Sequence, residues 1–380
     1  MANVYLLHGD AETALGSMGG TLFDALAAGA SKSGPVDRYD PGLLSFRTAA
    51  CVERLGAERQ EGENLTQALM RRILPGFAGF PAVDAIIWAG AKGNAEYVEA
   101  LAIAPESAPA FPYLPRHYSL WLRENLGHAG QGSELLEVGA ACASSTVAIA
   151  LGADLIASGR SGSVLVAAAD LVTRFTLTGF NSLLALTGSA CRPFDVERNG
   201  LLLGDGAVCL LLAGDMYVKT SGLAPLARLS GWGAANDAVH ISAPARDGRG
   251  LIASITTAMD KAKALPGSIG AFCTHGTGTV YNDAMELFAT DALFGDRLFP
   301  LFSIKGALGH TLGAAGGIEA LVCARALAKA VVPPTAGLRR PEERAKGRVS
   351  CERQTLNGHK ILTSNSGFGG INAALVLENA

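Results

Sequence analysis

The chain has 380 residues, of which 49% are hydrophobic and 17% charged, with 47 glycines and a formal net charge of −3. This balance excludes a disordered chain and a strongly basic nucleic-acid binder, and fits a heavily buried α/β protein. At this length two domains or two fused halves are expected, and no apolar run reaches the ~18 residues that a membrane span needs.

The opening run Met1-Ala2-Asn3-Val4-Tyr5 carries no basic leader, so the chain is expected to be soluble and unprocessed. Seven cysteines, at 51, 142, 191, 209, 273, 323 and 351, form no C-x-x-C pair and leave an odd thiol, which implies reduced, cytoplasmic chemistry. Proline and glycine mark surface loops at 34–41, 105–115 and 243–248. The basic pairs Arg71-Arg72 and Arg339-Arg340 are too short for a nucleic-acid stripe and read as solvated faces.

Between these loops short apolar strands alternate with helices, the pattern of a parallel or mixed sheet covered on both faces. Strands are expected at 83–88, 135–138, 163–168, 207–212, 270–273 and 373–377. The strand Leu135-Leu136-Glu137-Val138 turns at Gly139-Ala140-Ala141-Cys142 into a small-residue helix over 144–158. Cys142 then sits at a helix N-terminus, where free N–H groups and the helix dipole favour a thiolate and can hold a thioester oxygen. The alternative is a buried, unreactive cysteine. A faint echo follows in the second half, where a strand at 271–273 and the run 301–305 precede a second small-residue helix beginning near Thr311. His275 lies just past that strand in His275-Gly276-Thr277-Gly278-Thr279, and His310 lies at the mouth of the second helix. Either histidine alone reads equally as a structural residue.

Four blocks taken together go further: Ala141-Cys142-Ala143-Ser144-Ser145; His275 to Thr279 followed by Asn282-Asp283 and Glu286; Lys305 through His310 to Gly316; and Asn365-Ser366-Gly367-Phe368-Gly369-Gly370. Two supporting blocks lie between them, Arg192-Pro193-Phe194-Asp195 with Gly204-Asp205-Gly206, and Asp237-Ala238-Val239-His240 with Ala243-Pro244. In their order these blocks resemble the elongating β-ketoacyl-acyl carrier protein synthases, decarboxylating condensing enzymes of the thiolase superfamily that include polyketide ketosynthases. The resemblance is close from about Gly139 onward and loose before residue 130. It implies a thiolase-like α/β fold with a layered α-β-α-β-α core, built as residues 1–213 carrying the nucleophilic cysteine and residues 214–380 carrying both histidines.

By the same resemblance Cys142 holds the acyl group as a thioester, and His275 and His310 stabilise the enolate formed when a malonyl thioester loses CO₂. Phe368 serves as a gate, its backbone N–H sharing the thioester oxyanion with that of Cys142. Lys305 supports the electrostatics with Glu286 near it, and Thr277 and Thr279 bind the phosphopantetheine arm of an acyl carrier protein. No metal and no permanently bound cofactor are implied. The expected partners are the carrier protein and a second copy of the chain, with a heterodimer as the alternative assembly and a non-catalytic chain-length-factor-like subunit as the alternative role. An initiating synthase, with Cys, His and Asn, fits the His275 and Lys305–His310 blocks less well, and a degradative thiolase would need a second cysteine near Gly367-Phe368-Gly369-Gly370. The departures are a short, unusual first half, Leu201 where an aromatic is common, and Gly278 where fatty-acid enzymes often carry serine. Phe111, Tyr113, Tyr118 and Trp121 fall in the region expected to line the acyl pocket and dimer contact.

Overall fold

A computed structural model of the chain describes residues 2–39, 46–107 and 114–380. The loop expectations at 40–41 and 108–113, and the pocket expectation for Phe111 and Tyr113, lie outside the described residues.

Ten strands form the main path of one mixed sheet: β1 (Val4–Thr13), β2 (Ala85–Ala89), β3 (Glu134–Val138), β4 (Ser163–Asp170), β5 (Gly206–Gly214), β6 (Ala227–Asn236), β7 (Ile269–Cys273), β8 (Leu301–Phe302), β9 (Lys360–Gly367) and β10 (Ile371–Glu378). A two-residue strand, Gly16–Ser17, pairs with β1 as an eleventh member. The helices that matter below are α1 (Leu65–Arg71), α2 (Arg116–Asn125), α3 (Ser144–Ala157), α4 (Arg174–Ser182), α5 (Arg249–Lys261), α6 (Val280–Phe294) and α7 (Ala315–Lys329).

Strand order across the sheet is β8-β7-β9-β10-β6-β1-β5-β4-β2-β3. Strands from the first half run outward from β1 as first, fifth, fourth, second and third, and strands from the second half run outward from β6 in the same order. Directions match as well: β4 is parallel to β2 and β2 to β3, as β9 is to β7 and β7 to β8, while the remaining pairs in each wing are antiparallel. The wings join through an antiparallel contact at Tyr5↔Arg228 and Leu6↔Ala227.

Burial explains which strands the sequence revealed. Every residue of β2, β4, β5 and β7 is buried, so these read as continuous apolar runs. β6 (ARLSGWGAAN) and β9 (KILTSNSG) are diluted with Gly, Ser and Asn, which hides them from an apolar-run reading. In particular Asn365 to Gly367 end a strand and do not belong to a free loop.

Three apolar clusters stack the layers. One, drawing on α1, α2 and one face of β2, β4 and β5, coats the outside of the first wing. A second, with α5 and α6 against β7, β9 and β10, coats the outside of the other. The largest holds α3 and α7 between the wings, giving the α-β-α-β-α core of the thiolase-like fold. Twelve of the fifteen residues of α7 are buried, including Glu319, so this helix is enclosed on all sides. Its small residues let α3 approach closely: a Cβ at Gly316 would stand 1.8 Å from Thr146 Oγ1 and 2.5 Å from Asn365 Oδ1. Gly316→Ala, which in an exposed helix would be neutral or stabilising, is therefore expected to cost about 1–3 kcal/mol here, read as a lowered urea midpoint with unchanged m value.

Candidate active site

The site lies where the ends of β2, β4, β7 and β9 meet the mouths of α3 and α7. Each central helix is entered through a single 3₁₀ turn, Ala141–Ala143 before α3 and Leu312–Ala314 before α7, and each turn opens on a non-glycine residue with positive φ, Ala141 at 47° and Leu312 at 50°. Such conformations are held only where the surroundings determine them. At the first turn Ser144 supplies that restraint: its one hydroxyl proton points between the carbonyls of Ala141 (2.6 Å) and Gly90 (3.1 Å), and its oxygen accepts from the N–H of Ala140 (2.9 Å).

Cys142 is buried in the first turn, two residues before α3 proper, and lines a cavity of about 350 Å³ together with His275, His310, Thr277, Thr279 and Phe368. Burial pushes its thiol up to about 12, with Asp170 adding to the rise and Lys305 and Lys92 opposing it. The thiolate expected from helix position is thus not the resting form: desolvation outweighs the field of a helix that begins two residues further on, at Ser144.

His275 and His310 meet edge-on, ring centroids 5.1 Å apart. Burial, and then the charge of Lys305, holds both well below the usual imidazole range, so both are neutral. Their hydrogen bonds assign the tautomer. The Nδ1 of His310 accepts from the N–H of Leu312 (3.3 Å), and the Nδ1 of His275 accepts from the side-chain amide of Asn365 (3.2 Å). That amide nitrogen has no lone pair to offer, so each ring carries its proton on Nε2. Two neutral N–H donors therefore serve one cavity.

Behind the rings runs a buried chain of partners. Lys305 donates to Glu319 (2.5 Å), Asn365 donates to the other oxygen of Glu319 (2.8 Å), and Thr146 donates to the carbonyl of Asn365 (2.5 Å). Lys305 and Glu319 are each about 1% exposed. Glu286 lies within reach of the Lys305 charge, which opposes its rise, while its hydrogen bonds come from the backbone N–H groups of His275 (2.6 Å) and Gly276 (2.7 Å) and the amide of Asn282 (2.8 Å); burial pushes it up to about 8. Asp283, pushed up to about 6 by burial, receives the N–H groups of Thr277, Gly278 and Phe194. These two carboxyl groups fix the loop after β7 so that the Thr277 and Thr279 hydroxyls lie 2.9 Å apart on the cavity wall. Gly278, at φ 76°, leaves 3.0 Å between an added Cβ and Cys191 Sγ, which accounts for the missing serine.

Glu319 and Asn365 carry roles that sequence reasoning left unassigned. Glu319 is the lone acidic residue in a helix of small and apolar residues, a signal that was available. Phe368 is half-exposed, with its ring tilted against Phe180 of α4 at 5.7 Å, and Leu201 lines the same cavity. Tyr118 and Trp121 do not: Tyr118 stacks on Trp88 (4.7 Å) and both pack in the outer cluster of the first wing, because α2 covers the far side of β2. No helix among the described residues is long and apolar enough to cross a membrane, and no group of three His, Cys, Asp or Glu there is placed to hold a metal ion.

Two family models match the chain, "Beta-ketoacyl synthase, N-terminal domain" over residues 133–215 and "Beta-ketoacyl synthase, C-terminal domain" over 226–339, together just over half of it. The chain is 31% identical over 268 residues to the tetracenomycin polyketide synthase ketoacyl synthase alpha subunit of Streptomyces glaucescens, covering 67% of this chain and 62% of that protein. It is 33% identical over 249 residues to 3-oxoacyl-[acyl-carrier-protein] synthase 2 of Rhizobium meliloti, covering 63% and 59%. The chain thus spans about three fifths of the length of these relatives. A solved structure, the ishigamide ketosynthase/chain length factor, is similar with TM-score 0.91 and 26% identity, over all of this chain and 99% of that one.

Cys142 should behave as a protonated thiol at rest. Its alkylation by iodoacetamide, followed by peptide mass spectrometry, is expected to lag behind that of exposed Cys351 at pH 7 and to climb about tenfold per pH unit from 7 to 9 without a plateau. A plateau below pH 8 would mean that the thiolate is the resting form. Asn365→Ala, which strips one donor from both His275 and Glu319, is expected to cost about 1–3 kcal/mol in chemical unfolding.

Proposed function

The chain belongs to the β-ketoacyl synthase family, and we propose that it catalyses decarboxylative Claisen condensation of an acyl group held on Cys142 with a malonyl group on an acyl carrier protein, in fatty-acid or polyketide-type biosynthesis. The observation that carries this reading is the cavity that Cys142 shares with two neutral histidines, both presenting Nε2–H.

In the first half-reaction the Cys142 thiol exchanges with the carrier's acyl thioester. The acyl carbon–sulfur bond to the carrier breaks, the bond to Cys142 forms, and the proton leaves with the released carrier thiol. A malonyl thioester then enters on the Thr277 and Thr279 wall, whose hydroxyls suit the amides of a phosphopantetheine arm. As its carboxylate departs as CO₂, negative charge grows on the thioester oxygen. N–H donors in a dry cavity are worth most at that moment, and neutral rings accept no proton and so leave the developing enolate to react. The enolate carbon attacks the Cys142 thioester, the backbone N–H groups of Cys142 and Phe368 receive the oxyanion, and the sulfur is expelled and reprotonated from solvent. Lys305, Glu319 and Asn365 hold the donors in place without touching the reacting atoms, and Glu286 fixes the His275 loop. Phe368, half-exposed and followed by two glycines with positive φ, is suited to open and close the acyl side.

The repeated strand order supports reading residues 1–213 and 214–380 as two related halves, the nucleophile in one and both histidines in the other. The likeness to a ketosynthase/chain length factor structure supports assembly as a dimer, either of identical chains or with a ketosynthase-like partner. Seven free cysteines support a cytoplasmic setting. The non-catalytic partner role is disfavoured by the complete Cys142, His275, His310 set in one cavity.

Incubation with a panel of acyl-carrier thioesters should place the acyl mass on the Cys142 peptide, and malonyl-carrier protein should then discharge it as a ketoacyl product. No adduct with any carrier, on folded protein, would favour the partner-subunit role. His310→Ala is expected to lower the decarboxylation rate by about 10²-fold or more. With both imidazoles titrating well below the usual range, malonyl decarboxylation should stay flat from pH 8 down to pH 6; a loss following an ordinary histidine titration near 6.5 would contradict the neutral-donor mechanism.

A further inference from the structure

Behind the apolar cluster that holds Cys142 and Ala91 lies a largely buried ion pair that the condensation chemistry above does not use. Asp170, at the end of β4 and 4% exposed, carries Lys92 on one carboxylate oxygen. Its other oxygen accepts two backbone N–H groups, from Ala91 (3.2 Å) after β2 and from Gly313 (2.8 Å) in the turn before α7. One carboxylate thereby ties two strand ends of the first half to the turn of the second half that carries His310.

That turn is the one that needs holding. Leu312 sits at φ 50°, and its N–H is the donor that fixes Nδ1 of His310. Gly313, gripped by Asp170, is the next residue along. In the first half the residue that follows the equivalent strained position, Ala141, is Cys142 itself. We propose that Asp170 and Lys92 are a positioning pair for the condensing reaction of the preceding subsection, on which this inference rests: Asp170 clamps the His310 turn against the nucleophile's half, and Lys92 cancels the charge that the clamp places behind the thiol.

The second role follows from where the clamp sits. Ala91, whose N–H Asp170 holds, and Leu312, next to Gly313, pack in one apolar cluster with Cys142, so Asp170 and its partner Lys92 lie behind the thiol from the first half, while His275 and His310 share its cavity and Lys305 acts on it from the second. Asp170 raises the thiol and Lys92 lowers it. Removing either partner alone therefore moves thiol reactivity in opposite directions, whereas two merely structural lesions would both loosen the site and move it the same way.

The test uses the full chain and three variants, Asp170→Asn, Lys92→Met and the double, each checked for folding by circular dichroism. Iodoacetamide labelling of Cys142 at pH 8 is read by mass spectrometry, and decarboxylation of malonyl-carrier protein is read separately. Asp170→Asn is expected to label at least threefold faster while decarboxylating at least tenfold slower. Lys92→Met should label at least threefold slower, and the double variant within twofold of the parent. Labelling that shifts the same way in both single variants, or in neither, overturns the proposal. If Asp170→Asn does not fold, slower labelling of Lys92→Met upholds the pair and unchanged labelling overturns it. A parent protein that labels but neither acylates nor decarboxylates refutes the condensing reading, and the labelling rates alone then decide on the pair.

Discussion

The buried contact between Lys305 and Glu319 is the constraint from which the rest of the site follows. An ammonium group this deep needs a partner, and the partner is on the helix enclosed on all sides, α7. Glu319 then spends its second oxygen on Asn365, and Asn365 spends its second N–H on His275 and its carbonyl on Thr146. Five side chains from α3, α7, β9 and the segments after β7 and β8 are thus locked by one charge. Breaking a buried pair by removing one partner leaves an uncompensated charge, typically worth about 3–5 kcal/mol, so this network and the stability of the core are not separable. Low surrounding polarity strengthens each bond in such a chain and makes each missing one costly.

The same charge governs the chemistry. Burial holds both imidazoles neutral; Lys305 lies close enough to add to that effect and to moderate the rise in the Cys142 thiol. Desolvation alone would leave all three groups neutral and inert. A nearby fixed cation does not ionise them, but it favours the anions that form later, first thiolate and then enolate. The site is therefore poised for charge that appears during reaction and not for charge at rest.

The repeated wing explains how three groups from two halves of the chain converge. Each half orders its strands alike, and each enters its central helix through a strained 3₁₀ turn. One turn presents Cys142, and the other follows directly on His310. Because α3 and α7 pack against one another through glycine and small residues, the two turns are held at a fixed separation, and the Asp170 carboxyl group on Gly313 and the Thr146 hydroxyl on Asn365 cross between halves to keep it.

The sequence by itself determined the fold class and four of the fully buried strands, because uninterrupted apolar runs leave a local signature. Cys142, His275 and His310 drew notice from their strand-to-helix settings, and the resemblance of their blocks to a known family joined them to Thr277, Thr279 and Phe368 as one set. What the sequence hid were β6 and β9, whose Gly, Ser and Asn residues mask the strand pattern, β1, whose apolar run is broken by His8-Gly9-Asp10, the two-residue β8, and every relation between residues distant along the chain. That Lys305 pairs with Glu319 and not Glu286, that Tyr118 turns away from the cavity, and that Cys142 rests as a thiol were decided only by tertiary structure. The reason is common to all three: partner choice and desolvation depend on what surrounds a side chain in space, and a position along the chain does not contain that.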